Sequence, residues 1–257
     1  MNYGVNFNRI QGGRKGGPPT PMEMQVDFTA DRFNLRGTLH LPEVPSPPVV
    51  IGCHGLLSDR NSPKQIALAQ ACNRLGLAFF RFDHRGCGES EGRLAEHTTL
   101  EARCSDLLHA IRHLAGRADL GKRVGLFGSS MGGAVCLRAA AHAAIASLVT
   151  FAAPVRSRPL KIAGRHAEKD PERARMAAVL REDYDLGTEL NKLRNIMVFH
   201  GEADDVVPVA HAHEIFQRAA EPKRLVIQPR GDHLMSDPRH QQEFVREASL
   251  WLSTGLG

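Results

Sequence analysis

From residue 24 onward the chain alternates between two hydrophobic rhythms. At 24–29 and 33–41 the apolar positions recur every second residue, with Leu35, Leu39 and Leu41 set against polar neighbours. This is the period of half-buried strands, and the Asp31-Arg32 corner between them predicts an antiparallel opening pair. Afterwards the apolar residues come in short unbroken runs at 48–53, 77–82, 123–127, 148–152, 196–199 and 225–228. Runs of that length fit strands buried on both faces, as in a parallel sheet.

Helical patterns fall between these runs. Ser62, Pro63 and Gln65 read as a capping box, opening a helix with Ile66, Ala69, Cys72 and Leu75 inward and Gly76 as its stop. Thr98 with Glu101 reads as a second box, with Leu100, Cys104, Leu107, Leu108, Ile111 and Leu114 on one face. Further helices are expected after Ser130, from Pro208, and from the Asp237-Pro238 cap, the last with Phe244, Ala248, Trp251 and Leu252 inward. Strand and helix alternate as in an α/β fold with a mostly parallel sheet. The alternation fails twice. Residues 1–21, rich in Gly and Pro, read as a flexible tail, and 155–194 as a charged insertion whose Met176, Val179 and Leu180 could face inward, a short lid. The remainder, 22–257, reads as one domain.

Composition narrows the function classes. The net charge is +5, but Lys and Arg are interspersed with Asp and Glu and aromatic residues make up only 5%, so no nucleic-acid partner is expected. Five cysteines, an odd number with no C-x-x-C pair, predict free thiols in a reducing compartment. No apolar run follows the first methionine, and the uncharged stretch between Arg138 and Arg156 is broken by His142, Ser147, Thr150 and Pro154. A cytoplasmic protein without membrane insertion is the expectation.

The chemistry gathers at the ends of the apolar runs, where open α/β sheets carry their functional residues. Gly128-Ser129-Ser130-Met131-Gly132 lies between a buried strand and a helix of small residues. A serine there is presented at a tight turn that needs small residues around it, a need met by Gly128, Gly132 and Gly133. The same pattern at Gly88-Glu89-Ser90-Glu91-Gly92 has neither the strand before it nor the helix after it, and Ser90 reads as a loop serine. After the run ending at Phe199 comes His200-Gly201-Glu202-Ala203-Asp204-Asp205-Val206-Val207-Pro208, and after Gln228 comes Arg230-Gly231-Asp232-His233. With Ser130 these give the order Ser, Asp, His.

With His54-Gly55 and Asp83-His84-Arg85-Gly86-Cys87-Gly88-Glu89-Ser90, this order resembles the α/β-hydrolase superfamily from about residue 24 to residue 252. Within it the layout is similar to small bacterial serine carboxylesterases of the cinnamoyl-esterase kind. Dienelactone hydrolases are similar in size but use cysteine where this chain has Ser130. The resemblance implies an eight-stranded, mostly parallel sheet flanked by helices. It implies Ser130 as nucleophile, His233 as base, and Asp204 rather than the adjacent Asp205 as the acid, with Asp232 as a turn former. It also implies an oxyanion hole from the backbone amides of Leu56 and Met131, with His54 shaping its loop and Arg85 buttressing the loops. The activity implied is hydrolysis of a small-molecule carboxylic ester through an acyl-enzyme. Peptidase, thioesterase or acyltransferase chemistry uses the same residues, and a non-catalytic binding protein is a rival of another class.

Two weaker constellations complete the reading. His109 and His113 lie one helical turn apart with no third ligand, and His211 and His213 point different ways, so neither a metal nor a cofactor is expected. Arg156, Arg158, Lys161 and Arg165 precede the first acid of the insertion, Glu168, which raises an anionic substrate group as a hypothesis.

Overall fold

The computed structural model describes residues 22–157 and 183–257. The expected tail and the middle of the expected insertion, with Arg158, Lys161, Arg165, Met176, Val179 and Leu180, lie outside the described residues.

Eight strands form one sheet: β1 (Met22–Ala30), β2 (Phe33–Leu41), β3 (Val49–Cys53), β4 (Ala78–Phe82), β5 (Val124–Ser129), β6 (Ser147–Phe151), β7 (Ile196–Gly201) and β8 (Lys223–Gln228). Their order is β1-β2-β4-β3-β5-β6-β7-β8. β1 pairs antiparallel with β2 and β2 with β4, while every later pairing is parallel. The hairpin turns at Asp31, which has a φ of 52°.

The unbroken apolar runs of β3 to β7 occupy the middle of the sheet because they have two cores to fill, whereas the run at 225–228, expected to be buried on both faces, forms the edge strand β8 and is only partly buried. Val49, Ile51, Leu126, Ile196 and Val198 enter the cluster on one face, and Val50, Phe127, Met197 and Phe199 the cluster on the other. The first cluster is closed by α3 (Leu100–Ala115), α4 (Met131–Ala140), the short α5 (Gly187–Leu190) and α6 (Ala210–Arg218). The second is closed by α1 (Pro63–Arg74) and α7 (Pro238–Leu256); a further short helix, α2 (Leu94–His97), has no buried residue. Phe244 of α7 meets the rings of Phe127, Phe151 and Phe199 at centroid separations of 5.4, 6.2 and 5.2 Å. One side chain thereby braces β5, β6 and β7 together, and edge-to-face contacts of this kind add to simple burial.

Local chemistry departs from the sequence reading at two helix starts. The side chain of Thr99, not Thr98, caps α3 by accepting from the amide of Ala102, while the Thr98 hydroxyl donates to the Arg85 carbonyl. Glu101 turns away to pair with Arg138 at 2.9 Å. Ser62 makes no side-chain cap bond and Gln65 is buried. In α1 the inward face is Leu68, Ala69, Ala71, Cys72 and Asn73, with Leu75 exposed. Wedged between the sheet and α7, this helix buries more than one stripe. Asp237 caps α7 as its Asp-Pro sequence indicates, accepting from the amide of Arg239.

The described residues on either side of 158–182 are tied to each other. Arg156 and Asp185 form an antiparallel bridge, and the amide of Leu186 donates to the carbonyl of Val155 at 2.9 Å. Leu186, Leu190 and Leu193 are already in the core.

Candidate active site

The turn after β5 is built by close backbone approach. A Cβ at Gly132 would run into the carbonyls of Cys53 and His54, one at Gly128 into the backbone of Gly132, and one at Gly133 into Ala153. Ser130 itself sits at φ 54° and ψ −123°, with its amide donating to the carbonyl of Phe151 at 2.8 Å. A non-glycine residue at positive φ is a strained conformation, held here by the packed strand and helix on either side.

Two further loops converge on this turn. In the loop after β7, the Asp204 carboxylate accepts the amides of Val206 and Val207 at 2.9 and 2.8 Å. That loop is tied to the one after β8 through Ala203 to the Gly231 carbonyl and Arg230 to the Glu202 carboxylate. Gly201 and Gly231 touch where the loops cross, leaving no room for a side chain at Gly201. Asp232 accepts the amide of Ser236 and so holds the turn that carries His233.

The result is a chain of polar contacts. His233 Nε2 lies 3.1 Å from Ser130 Oγ, and its Nδ1 lies 2.8 Å from Asp204 Oδ2. The Asp204 side chain is fully buried and that of His233 is 14% exposed. Burial by itself would raise the Asp204 pKa. Hydrogen bonds from His200 and His233, the His233 charge and the Val207 amide outweigh it and hold the carboxyl well below the usual carboxylate range. An ionised Asp204 fixes the Nδ1–H tautomer of His233 and leaves Nε2 free to accept the serine proton. Asp205 is exposed, and the carboxylate against His233 Nδ1 is that of Asp204.

Leu56 and Met131 are buried beside the serine. Among the described residues neither amide donates a hydrogen bond. Gly55 comes so close that a Cβ there would stand 3.6 Å from the Cβ of Ser130. His54 is held neutral by burial, by the Arg103 charge and by His84, with its pKa well below the usual histidine value. Its Nε2 accepts the amide of His84 at 3.1 Å, so Nδ1 carries the proton and donates to the Gly55 carbonyl at 2.7 Å.

The other candidates are consumed elsewhere. Ser90 donates to the Asp83 carbonyl and accepts the amide of Arg36, while Arg85 joins Asp106 and Asp31. Arg156 is engaged by Asp185 and by both oxygens of Glu214, so its charge is already matched by two acids of this chain. His211 is buried and accepts the amide of Val155, and His109 lies against the carbonyl of Ser105. Among the described residues no three His, Cys, Asp or Glu side chains are grouped as for a metal, and all five cysteines are buried and unpaired. No helix of the described residues is long and apolar enough to cross a membrane.

Sequence reasoning missed His200 and Arg103. His200 Nε2 donates to the Val207 carbonyl at 2.8 Å and stands 3.3 Å from Asp204 Oδ2, locking the acid's loop. It ends a buried strand, where a histidine that closes an apolar run could have drawn attention. Arg103 falls at helical spacing among Leu100, Leu107 and Leu114, a charge on the apolar stripe.

The described structure superposes on the Pyrococcus furiosus esterase Pf2001 with a TM-score of 0.79 at 20% identity, covering 92% of each chain. In sequence, the chain is 29% identical over 220 residues to the mouse mitochondrial palmitoyl-protein thioesterase ABHD10, covering 74% of this chain and 70% of that one. It is 30% identical over 194 residues to the uncharacterized protein Rv2307c of Mycobacterium tuberculosis, covering 75% of this chain and 64% of the relative's length. Residues 45–173, half of the chain, match the family described as serine aminopeptidase, S33. With the sheet order and the turn at Ser130, this match establishes that the chain belongs to that family of α/β hydrolases.

Proposed function

We propose that the chain is a serine hydrolase that cleaves carboxylic esters of small molecules through an acyl-enzyme. The observation that carries the reading is the continuous contact from Asp204 through His233 to Ser130 Oγ, at 2.8 and 3.1 Å. Ser130 Oγ attacks the ester carbonyl while His233 Nε2 takes its proton and then returns it to the departing alcohol. The amides of Leu56 and Met131 stabilise the negative oxygen of the tetrahedral species. Water, deprotonated by His233, then releases the acid and restores Ser130. None of these steps calls for a cofactor. The likeness to a palmitoyl-protein thioesterase supports thioesters as a second substrate class, since their carbonyl passes through the same tetrahedral species.

The test is turnover of p-nitrophenyl esters and acyl thioesters of increasing chain length, with fluorophosphonate labelling of wild type and Ser130→Ala. Loss of labelling and a drop in turnover on the order of a millionfold are expected in the variant. A Ser130→Ala protein as active as wild type overturns the reading.

A further inference from the structure

Arg103 is fully buried on α3, yet among the described residues no carboxylate pairs with it. Its guanidinium is spent on the loop at 54–56 and on Cys87 instead. Nη1 donates to the carbonyls of His54 and Gly55 at 3.3 and 3.2 Å, and Nη2 donates to the carbonyl of Leu56 at 3.0 Å and to Cys87 Sγ at 3.1 Å. Three consecutive carbonyls on one cation is an arrangement that a planar fork can serve and a point-like ammonium cannot.

We propose that Arg103 is a positioning residue that aims the Leu56 amide at the reacting carbonyl oxygen. The inference rests on the reading of Ser130 as nucleophile and of the Leu56 amide as an oxyanion donor.

The reasoning is stereochemical. In a trans peptide the C=O and the N–H of one unit point in opposite directions. Drawing the Gly55 carbonyl toward Arg103 therefore turns the Leu56 N–H of the same unit the other way. The neutral His54 ring donates to the same Gly55 oxygen from Nδ1 at 2.7 Å, so two donors fix that plane. Gly55 lies against Ser130, which makes the turned-out N–H face the site where the tetrahedral oxygen forms. The buried charge has a second effect. A cation bonded to a carbonyl polarises the peptide and strengthens the N–H as a donor, as in any hydrogen-bonded chain in a low-dielectric interior.

A loop left without this clamp still binds substrate, because the ground-state ester does not depend on the amide's aim. The loss falls on the transition state. Misplacing a group by about 1 Å costs on the order of a hundredfold.

The experiment compares wild type, Arg103→Met and Arg103→Lys. Folding is checked by thermal melting, and kcat is taken per site titrated with fluorophosphonate. The expected result for Arg103→Met is a fall of about a hundredfold in kcat and in the second-order phosphonylation rate of Ser130, with KM within about twofold. The pH dependence of phosphonylation keeps its shape, since the base is untouched. Arg103→Lys falls less, because an ammonium reaches only part of the three carbonyls. A folded Arg103→Met with a wild-type phosphonylation rate sinks the clamp alone, as does a variant in which KM rises at constant kcat. If the Met variant does not fold, the Lys variant carries the test, and a wild-type rate in it overturns the proposal. Absence of labelling in the wild type overturns the reading of Ser130 and the clamp with it.

Discussion

Replacing Asp204 by Asn tests the electrostatics of the site with almost no change of shape. The Asn carbonyl oxygen can keep the amides of Val206 and Val207, now at 2.9 and 2.8 Å from Oδ1. Its amide group must then face His233 Nδ1, where Oδ2 stands at 2.8 Å. A donor facing Nδ1 forces the ring proton onto Nε2, which points it at Ser130 Oγ 3.1 Å away. A protonated Nε2 cannot take the serine proton. The expected loss in kcat is about ten-thousandfold, or roughly 5 kcal/mol of transition-state stabilisation, with KM little changed. The assay is initial rates on a p-nitrophenyl ester, with Asp205→Asn in parallel and circular dichroism to confirm folding. Asp205→Asn is expected to stay near wild type. Stability gives an independent check with a definite sign. Because the folded-state pKa of Asp204 is depressed, its ionised form stabilises the fold above the unfolded pKa of about 3.9. That contribution disappears as pH falls through the folded value, so wild type and variant should converge in strong acid. Asp204→Asn within tenfold of wild-type kcat, or Asp205→Asn falling as far, would refute the reasoning.

Two other expectations follow from groups away from the serine. Buried His40 accepts from Arg81 at 2.7 Å and faces Glu23 at 3.3 Å; burial, then the Arg81 charge, push its pKa from 6.5 to about 4. The unfolded chain takes this proton first, so stability is complete above pH 6.5 and falls by roughly 3 kcal/mol as pH drops to about 4. Urea titrations should show that step flattened in His40→Gln. Arg156→Ala should leave the ratio of kcat/KM between anionic and neutral esters unchanged, because Asp185 and Glu214 already occupy the guanidinium; a large shift in that ratio would contradict this.

Where sequence and structure agree, the physics is one-dimensional. A run such as 48–53 has no polar residue that could face water, so it reads as a central strand, and the structure places 49–53 between β4 and β5. The glycines around Ser130 are legible because their spacing matches the packing of one strand on one helix. What was illegible depends on residues far apart in the chain. Thr98 and Thr99 carry the same hydroxyl, and only the position of the Arg85 carbonyl decides which of them caps α3. The inward face of α1 (Pro63–Arg74) depends on α7, which begins only at Pro238. Arg103 shows in the sequence only as a charge on an apolar stripe, and what it binds is decided by residues 54–56, which the fold brings over it.

The three members of the polar chain are contributed by loops after β5, β7 and β8, and His233 follows Ser130 by 103 positions. Among the described residues β8 is an edge strand paired only with β7, and the loop bearing His233 hangs from it. During synthesis Ser130 therefore emerges long before His233, in a chain made from the N-terminus onward. An unassisted serine hydroxyl is nearly inert at neutral pH. On the proposed reading, the order of the residues acts as a safety catch: the nascent serine stays unassisted until β8 has docked and brought His233 to it.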